Sequence, residues 1–258
     1  MTTAGQQGYK EIRLAMKNYT PIMSFGEDVA EAYGSALRGD EAAAVAFLAE
    51  LAGAGPALEL AVGAGRIALP LAAQGIRVDG VDIAPAMVAR LRARPGGDAI
   101  AVTVGDFADV PVAGVYRLIY IVWNSFFNLL SQEEQVRCFA NVAAHLADDG
   151  VFVIETYVPA FLFRLQNDQY VEAEAIQVDQ VRLDLLRHDS ATQIIEESHV
   201  TLSAAGVHLN PVVQRYAWPG ELDLMARMAG LRLTQRWAGW NRAPFNAASG
   251  IHVSVYGR

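Results

Sequence analysis

Cysteine is nearly missing from this chain of 258 residues: Cys138 stands alone. A disulfide framework is therefore excluded, as is a zinc site built on several thiolates. Cys138 falls inside a helical pattern and reads as a small core-facing residue. Charged residues are also sparse, at 19%, and the balance of −8 is offset by no basic block. That argues against nucleic acid or an anionic membrane as the main partner. No apolar run reaches the length that crosses a bilayer. The opening Met1-Thr-Thr-Ala-Gly-Gln-Gln-Gly8 lacks the charged and apolar regions of a signal peptide, so a cytoplasmic location is expected. The five histidines are scattered without a His-x-x-x-His pair, and no metal is expected.

What the chain has is apolar residue, 53% of it, enough for one large domain or a domain with a subdomain. From Pro56 onward, strand patterns at 58–62, 77–81, 99–104, 116–122 and 151–156 alternate with helical patterns at 67–73, 86–94 and about 132–146. This rhythm predicts a parallel sheet wound on both faces. Upstream, 9–19, 25–37 and 41–51 read as helices, the last with Asp40 as its cap. After Tyr157 the pattern changes to β-rich runs at 181–186, 194–202 and 207–216, divided by turn signals at His188-Asp-Ser190 and Ala204-Ala-Gly206. They read as an antiparallel meander walling the sheet's ligand-binding edge. A helix to Ala229 and strands at 231–237 and 251–256 complete the chain. The expected fold is α/β, a Rossmann-like seven-stranded mostly parallel sheet with helices on both faces. Its parts are an N-terminal helical lid over 1–55, a cofactor-binding core at 56–157 and 218–258, and an inserted antiparallel β subdomain at 158–217.

The first strand is apolar apart from Glu59 and reads as nearly buried on both faces. It runs into Gly63 and Gly65, whose missing side chains let backbone N–H groups approach a ligand at the start of a helix. Asp82 ends the second strand, where a carboxylate suits a bidentate contact to ribose hydroxyls. Gly105-Asp106-Phe107 follows the third. Two cofactors fit this pattern. Gly63-Ala-Gly-Arg-Ile-Ala68 meets the relaxed dinucleotide fingerprint G-x-G-x-x-A, with Asp82 at roughly the expected distance. Against a nicotinamide stand Glu59 inside the first strand, the Gly-Asp-Phe sequence, and the helical residues 1–55 ahead of that strand.

Residues 57–150 resemble the cofactor-binding core of class I S-adenosylmethionine-dependent methyltransferases. The family's acid-x-Gly-x-Gly-x-Gly loop corresponds to Glu59-Leu-Ala-Val-Gly-Ala-Gly65, with Ala61 replacing the first glycine; within the strand, Ala61 needs no positive φ. The resemblance implies S-adenosyl-L-methionine as cofactor and S-adenosyl-L-homocysteine as product. It assigns Glu59, Ala61, Gly63, Gly65, Asp82, Ile83 and Met87 to the cofactor, and Asp106 and Phe107 to the adenine edge and face. Trp123 and Asn124 then lie beside the methionine part. Tyr33 resembles the family's N-terminal tyrosine near that end, although Gly34 follows it instead of Asp. Arg66 is placed either for the donor carboxylate or for solvent.

Methyl transfer from a sulfonium needs no metal and no covalent enzyme intermediate. The protein aligns the reacting groups, excludes water and, where necessary, removes a proton. His199 is the candidate general base, since an imidazole titrates near neutrality. Strand alternation puts it on one face with Glu197 and Thr201. Glu155, ending the fifth strand, is the second catalytic candidate. Tyr9, Tyr19, Phe127, Arg215 and Trp240 are candidate acceptor contacts within an aromatic periphery that suits a planar or cationic partner. The expected activity is in-line methylation of a small molecule, an aromatic or amine specialised metabolite, on N, O or an aromatic carbon such as an indole position. Trp123-Asn-Ser-Phe126 stands where nucleic-acid methyltransferases carry Asn/Asp-Pro-Pro-aromatic. A non-catalytic module binding the same cofactor is the alternative, with a nicotinamide oxidoreductase behind it. A homodimer is allowed.

Overall fold

The protein is described from a computed structural model covering Tyr19, Thr20, Ser24 and residues 38–258. The helices expected within 1–37, and with them Tyr9 and Tyr33, lie outside the described residues. Helix α1 (Glu41–Ala52) turns Val45, Phe47 and Leu48 inward. Asp40 does not cap it: its side chain makes no cap hydrogen bond and pairs with Arg38 instead. The Glu41 carboxylate ties down the entering chain by accepting the backbone N–H groups of Arg38 and Gly39.

Strand and helix then alternate as β1 (Ala57–Leu60), α2 (Ala68–Ala72), β2 (Val78–Asp82), α3 (Pro85–Arg92), β3 (Ala101–Val104), β4 (Tyr116–Ile121), α4 (Gln132–His145) and β5 (Leu146–Tyr157). Helix α4 starts on a capping box, in which Ser131 accepts the Glu134 N–H and Glu134 accepts the Ser131 N–H. Near the C-terminus come α5 (Pro219–Met228), β10 (Arg232–Trp237) and β11 (Ile251–Gly257). The large sheet has the order β10-β11-β5-β4-β1-β2-β3. Strands β1 to β5 are parallel, and β11 lies antiparallel between β5 and β10. The chain winds outward from β1 in one direction and from β4 in the other. Connections therefore leave opposite faces of the sheet between these two strands, opening a crevice at their C-terminal ends.

Side-chain alternation places the core on both faces of the sheet. Ile119 and Ile121 of β4 join Phe126, Phe139, Phe152 and Tyr256 on one face. Leu118 and Tyr120, the intervening positions, join Phe47, Leu48 and Leu71 on the other. Phe139 meets Phe126, Phe152 and Tyr256 edge to face at 5.4–5.6 Å. Among the described residues no helix is long and apolar enough to cross a membrane.

A second sheet, of four antiparallel strands, follows β5: β6 (Gln169–Ile176), β7 (Gln180–Asp189), β8 (Ile194–Ser203) and β9 (Gly206–Arg215). One buried arginine anchors it. The Arg215 guanidinium donates to Gln135 of α4, to Gln193 and to Glu221 of α5 at 2.6–2.8 Å. Gln135 in turn donates to the Arg215 carbonyl. This knot fixes the end of β9 against the helical layer, so the small sheet stands as a wall beside the crevice.

Candidate active site

The strand ends at the crevice build the first part of the site. Strand β1 stops at Leu60, so Ala61 lies beyond it and adopts φ 57°. The sequence had placed Ala61 within the strand, where no positive φ is needed; the earlier chain turn overturns that. Gly63, with φ 53°, lines two adjoining cavities. A Cβ on it would meet nothing closer than Met87 Cε at 3.9 Å, leaving room for a ligand against the backbone. At the end of β2 the buried Asp82 accepts the Gly63 N–H at 2.7 Å on one oxygen and the Ala84 N–H at 2.8 Å on the other. Burial raises its pKa, and the two backbone donors hold it back. A carboxylate has about four acceptor sites, so each oxygen can take one further hydroxyl. Ile83, Met87, Asp106 and Phe107 line the same cavity, of about 290 Å³. These residues fit an adenosine: a fixed carboxylate for ribose, a glycine for close approach and an acid beside an aromatic ring.

The second cavity, of about 310 Å³, adjoins it and takes in Glu59, Gly65, Arg66 and Trp123. Glu59 is buried and accepts the Tyr120 hydroxyl at 3.0 Å. Burial pushes its pKa up to about 8, against the pull of the Tyr120 bond and of Arg66. The Arg66 guanidinium lies 3.6 Å from the Trp123 ring centroid and pairs with Glu41 at 3.0 Å. Burial opposes ionisation of Glu41, yet backbone N–H donors and Arg66 hold its pKa down at about 2.

After β4 the chain turns through two consecutive left-handed residues, Trp123 at φ 58° and Asn124 at φ 60°. Such non-glycine conformations cost about 1–3 kcal/mol each and persist only where their surroundings enforce them. Glu155 does so: one oxygen accepts the Trp123 N–H at 3.0 Å, the other the Arg38 guanidinium at 2.8 Å. Asn124 adds its side chain, which accepts the Tyr157 N–H at 2.7 Å. The Glu155 carboxylate, 2% exposed, is thereby placed to hold the loop and its arginine.

A third cavity, of about 780 Å³, opens between this loop and the small sheet. Ser125 lines all three cavities and marks their meeting point; Trp123 is shared by the second and third, and Asn128 by the first and third. His199 faces the third cavity together with Glu197 and Thr201, as alternation implies. Its Nδ1 is hydrogen-bonded to Asp184, its cross-strand partner on β7. Glu174, Asp184 and His199 bring one potential metal-ligand atom each within 4.8 Å of one another, a grouping that the His199–Asp184 bond already accounts for. Burial raises the pKa of Glu197, and His199 offsets this only in part. Tyr170, on the same wall, is pushed up to about 12 by burial and by Glu197.

The site thus gathers Glu59, Ala61, Gly63, Gly65, Asp82, Ile83, Met87, Asp106, Phe107, Trp123, Asn124, Glu155 and His199 around three joined cavities. Of the acceptor candidates, Tyr19 lines the first, adenosine-sized cavity, where its hydroxyl accepts the Val213 N–H, and three fall elsewhere. Phe127 is fully buried and supports Tyr157 edge-on at 4.9 Å. Trp240 is buried against Phe47 at 5.6 Å, and Arg215 is consumed in its knot of hydrogen bonds. The sequence reading passed over Ser125 and Tyr157 as contacts. Nothing local marks them, because their roles come from the meeting of β4, β5 and the small sheet.

Comparison with known proteins bears on this arrangement. The profile of a family described as a methyltransferase domain matches residues 57–150. A search of curated sequences returns no match. Among solved structures, the CcbJ methyltransferase from Streptomyces caelestis is 36% identical, over 92% of this chain and 98% of its own, with a TM-score of 0.85. CalS10, an amino pentose methyltransferase from Micromonospora echinaspora solved with its methyl donor bound, is 22% identical over 89% of this chain and 95% of its own, with a TM-score of 0.64. KedS8, a sugar N-methyltransferase from Streptoalloteichus, is 19% identical over 87% and 90%, with a TM-score of 0.62. The last two show the fold; the first, similar along almost its whole length, shows more. With adenosine-shaped chemistry at the strand ends and that kinship, the chain belongs to the class I S-adenosylmethionine-dependent methyltransferases, and S-adenosylmethionine is its cofactor.

Proposed function

We propose that the protein methylates an amine nitrogen on a small molecule held in the third cavity. The observation that carries this reading is the convergence of the three cavities on Ser125, with the carboxylate of Glu197 on the wall of the largest. The cofactor, when bound, supplies a methyl group already activated by a sulfonium charge. Asp82 accepts from the ribose hydroxyls, Asp106 and Phe107 take the adenine, and Arg66 is the cation for the methionine carboxylate. Tyr157, Phe161 and Leu186 line the acceptor side.

An amine enters at neutral pH as an ammonium ion and must lose a proton before its lone pair can attack. Glu197 is suited to both stages. Its charge attracts the cation, and its pKa, raised by burial, makes it a better proton acceptor than an ordinary carboxylate. The amine proton passes to Glu197, and the nitrogen lone pair then takes the methyl group as the carbon–sulfur bond breaks and the sulfonium leaves as a neutral thioether. Glu155 positions the loop carrying Trp123. The amino pentose and sugar N-methyltransferases that share the fold support an amine on a polar small molecule over a phenol or an indole carbon.

Calorimetry with S-adenosylmethionine and S-adenosylhomocysteine, followed by mass spectrometry of reactions with amines, phenols and indoles, tests the proposal. Both nucleosides are expected to bind, and amines to gain one methyl group. Methylation confined to phenols or indoles would overturn the amine assignment. Glu197→Gln is expected to lower kcat by about 100-fold at unchanged cofactor affinity; an unaltered kcat would remove Glu197 from the proton path.

A further inference from the structure

The third cavity is longer than a single amine requires, and its wall changes character along its length. The register of the small sheet gives the scale. Ile195 pairs with Gln214, whose side chain reaches Asn128 at 3.5 Å and the Tyr157 hydroxyl at 3.3 Å, close to the meeting point of the cavities. Glu197 pairs with Leu186 and Val212 on the next rung, His199 with Asp184 and Asn210 on the one after, and Thr201 with Arg182 and His208 beyond. At ~3.3 Å per residue the His199 rung lies ~13 Å from the Ile195 rung.

Near the meeting point Leu186, Ile195 and Val212 are interspersed with Ser125, Asn128 and Gln214; past Glu197 the lining is polar, from His199, Thr201, His208 and Asn210 together with Glu174 and Arg182. Asp184 binds Nδ1 of His199, and among the described residues Nε2 makes no hydrogen bond. Arg182 is paired with Glu174 at 3.2 Å. This end therefore offers imidazole, amide and hydroxyl groups that both donate and accept. Its carboxylates disfavour a phosphate or a carboxylate ligand.

Building on the amine reading, we infer that this polar end is a second subsite that recognises a hydroxylated group carried ~13 Å from the reacting nitrogen, the span from the Ile195 rung to the His199 rung. The acceptor is bipartite: an amine-bearing head near the meeting point and a polyhydroxylated tail among His199, Asn210 and Thr201. Asp184 is a positioning residue that aims the Nε2 edge of His199 at that tail.

Two acceptors separate the possibilities, 3-aminopropyl glucoside and butylamine. The wild-type enzyme is expected to show a KM at least ~10-fold lower for the glucoside, the worth of one good hydrogen bond. His199→Ala and Asp184→Asn are expected to raise that KM by ~10-fold and to leave kcat/KM for butylamine within about twofold. Equal losses for both acceptors would put His199 in the chemistry instead and overturn the subsite, as would equal wild-type KM values. Stimulation by added zinc or manganese ions, lost on His199→Ala, would also overturn it. A readout without turnover separates this inference from the amine reading. With S-adenosylhomocysteine present, methyl β-glucoside is expected to give saturation-transfer NMR signals in the wild type and none in His199→Ala. No signal in the wild type would sink the subsite whatever is methylated, whereas a signal without amine methylation would count against the amine reading alone.

Discussion

Ala61 occupies a backbone region that costs an L-residue about 1–2 kcal/mol, because β1 stops one residue before it. Ala61→Gly relieves that strain, and urea denaturation is expected to show a gain of about 1 kcal/mol with cofactor affinity unchanged. A loss of stability would mean that the methyl group packs against the cavity more tightly than the strain costs. Asp82 is the residue whose removal should matter most for the cofactor. Asp82→Ala takes away the carboxylate proposed for the ribose hydroxyls and strands the Gly63 and Ala84 N–H groups, so calorimetry should show binding weakened by about 100-fold. The positions of Asp82 and Gly63 were legible in the sequence because each stands at or just past a strand end, which a short apolar run reveals. Tyr157 and Ser125 were not, since each gains its role from elements that meet only in three dimensions.

The turn after β4 is the element on which the site's geometry rests. Asn124 contributes both a left-handed backbone and a side-chain acceptor for the Tyr157 N–H. Asn124→Gly keeps the first and loses the second, whereas Asn124→Ala loses both. The expected costs in unfolding free energy are about 1 kcal/mol for glycine and about 2–3 kcal/mol for alanine; equal costs would show that the backbone is unstrained. The small sheet depends likewise on Arg215. Arg215→Met leaves the partly buried Glu221 without its cation and is expected to cost about 3 kcal/mol in denaturant unfolding, with cofactor binding preserved. The sequence reading took Arg215 for an acceptor contact because a polar residue near a strand end says nothing of Gln135, 80 positions away. Strand β6 was similarly hard to bound, since its mostly exposed positions carry little apolar alternation.

At the scale of the whole molecule, two buried groups tie stability to pH in opposite directions. His252 is buried between Thr156 and Ser254, and burial, aided by Arg236, holds its pKa down at about 3. The folded state then binds fewer protons than the unfolded one between about pH 3 and the ordinary imidazole value of 6.5. Stability from this group is complete above that window and is lost as pH falls through it, by about 1.4 kcal/mol per unit. Glu59 is raised from 4.5 to about 8, so the folded state binds more protons across that range and stability declines as pH rises. The two slopes cancel between 4.5 and 6.5, leaving the Glu59 slope alone up to about 8. In cofactor-free protein, Glu59→Gln is expected to flatten the decline above pH 6.5 in thermal denaturation and to extend the His252 acid limb up to about 6.5; a decline that survives the substitution would deny Glu59 this role. The sequence by itself determined the parallel sheet and its strand-end acids, because short apolar runs and their terminating residues are local; the cofactor followed from the family resemblance that those residues carry. Only the tertiary structure decided which residues line the three cavities. Cavity walls and buried ion pairs arise from contacts between segments far apart in the chain, and neither period nor spacing encodes those.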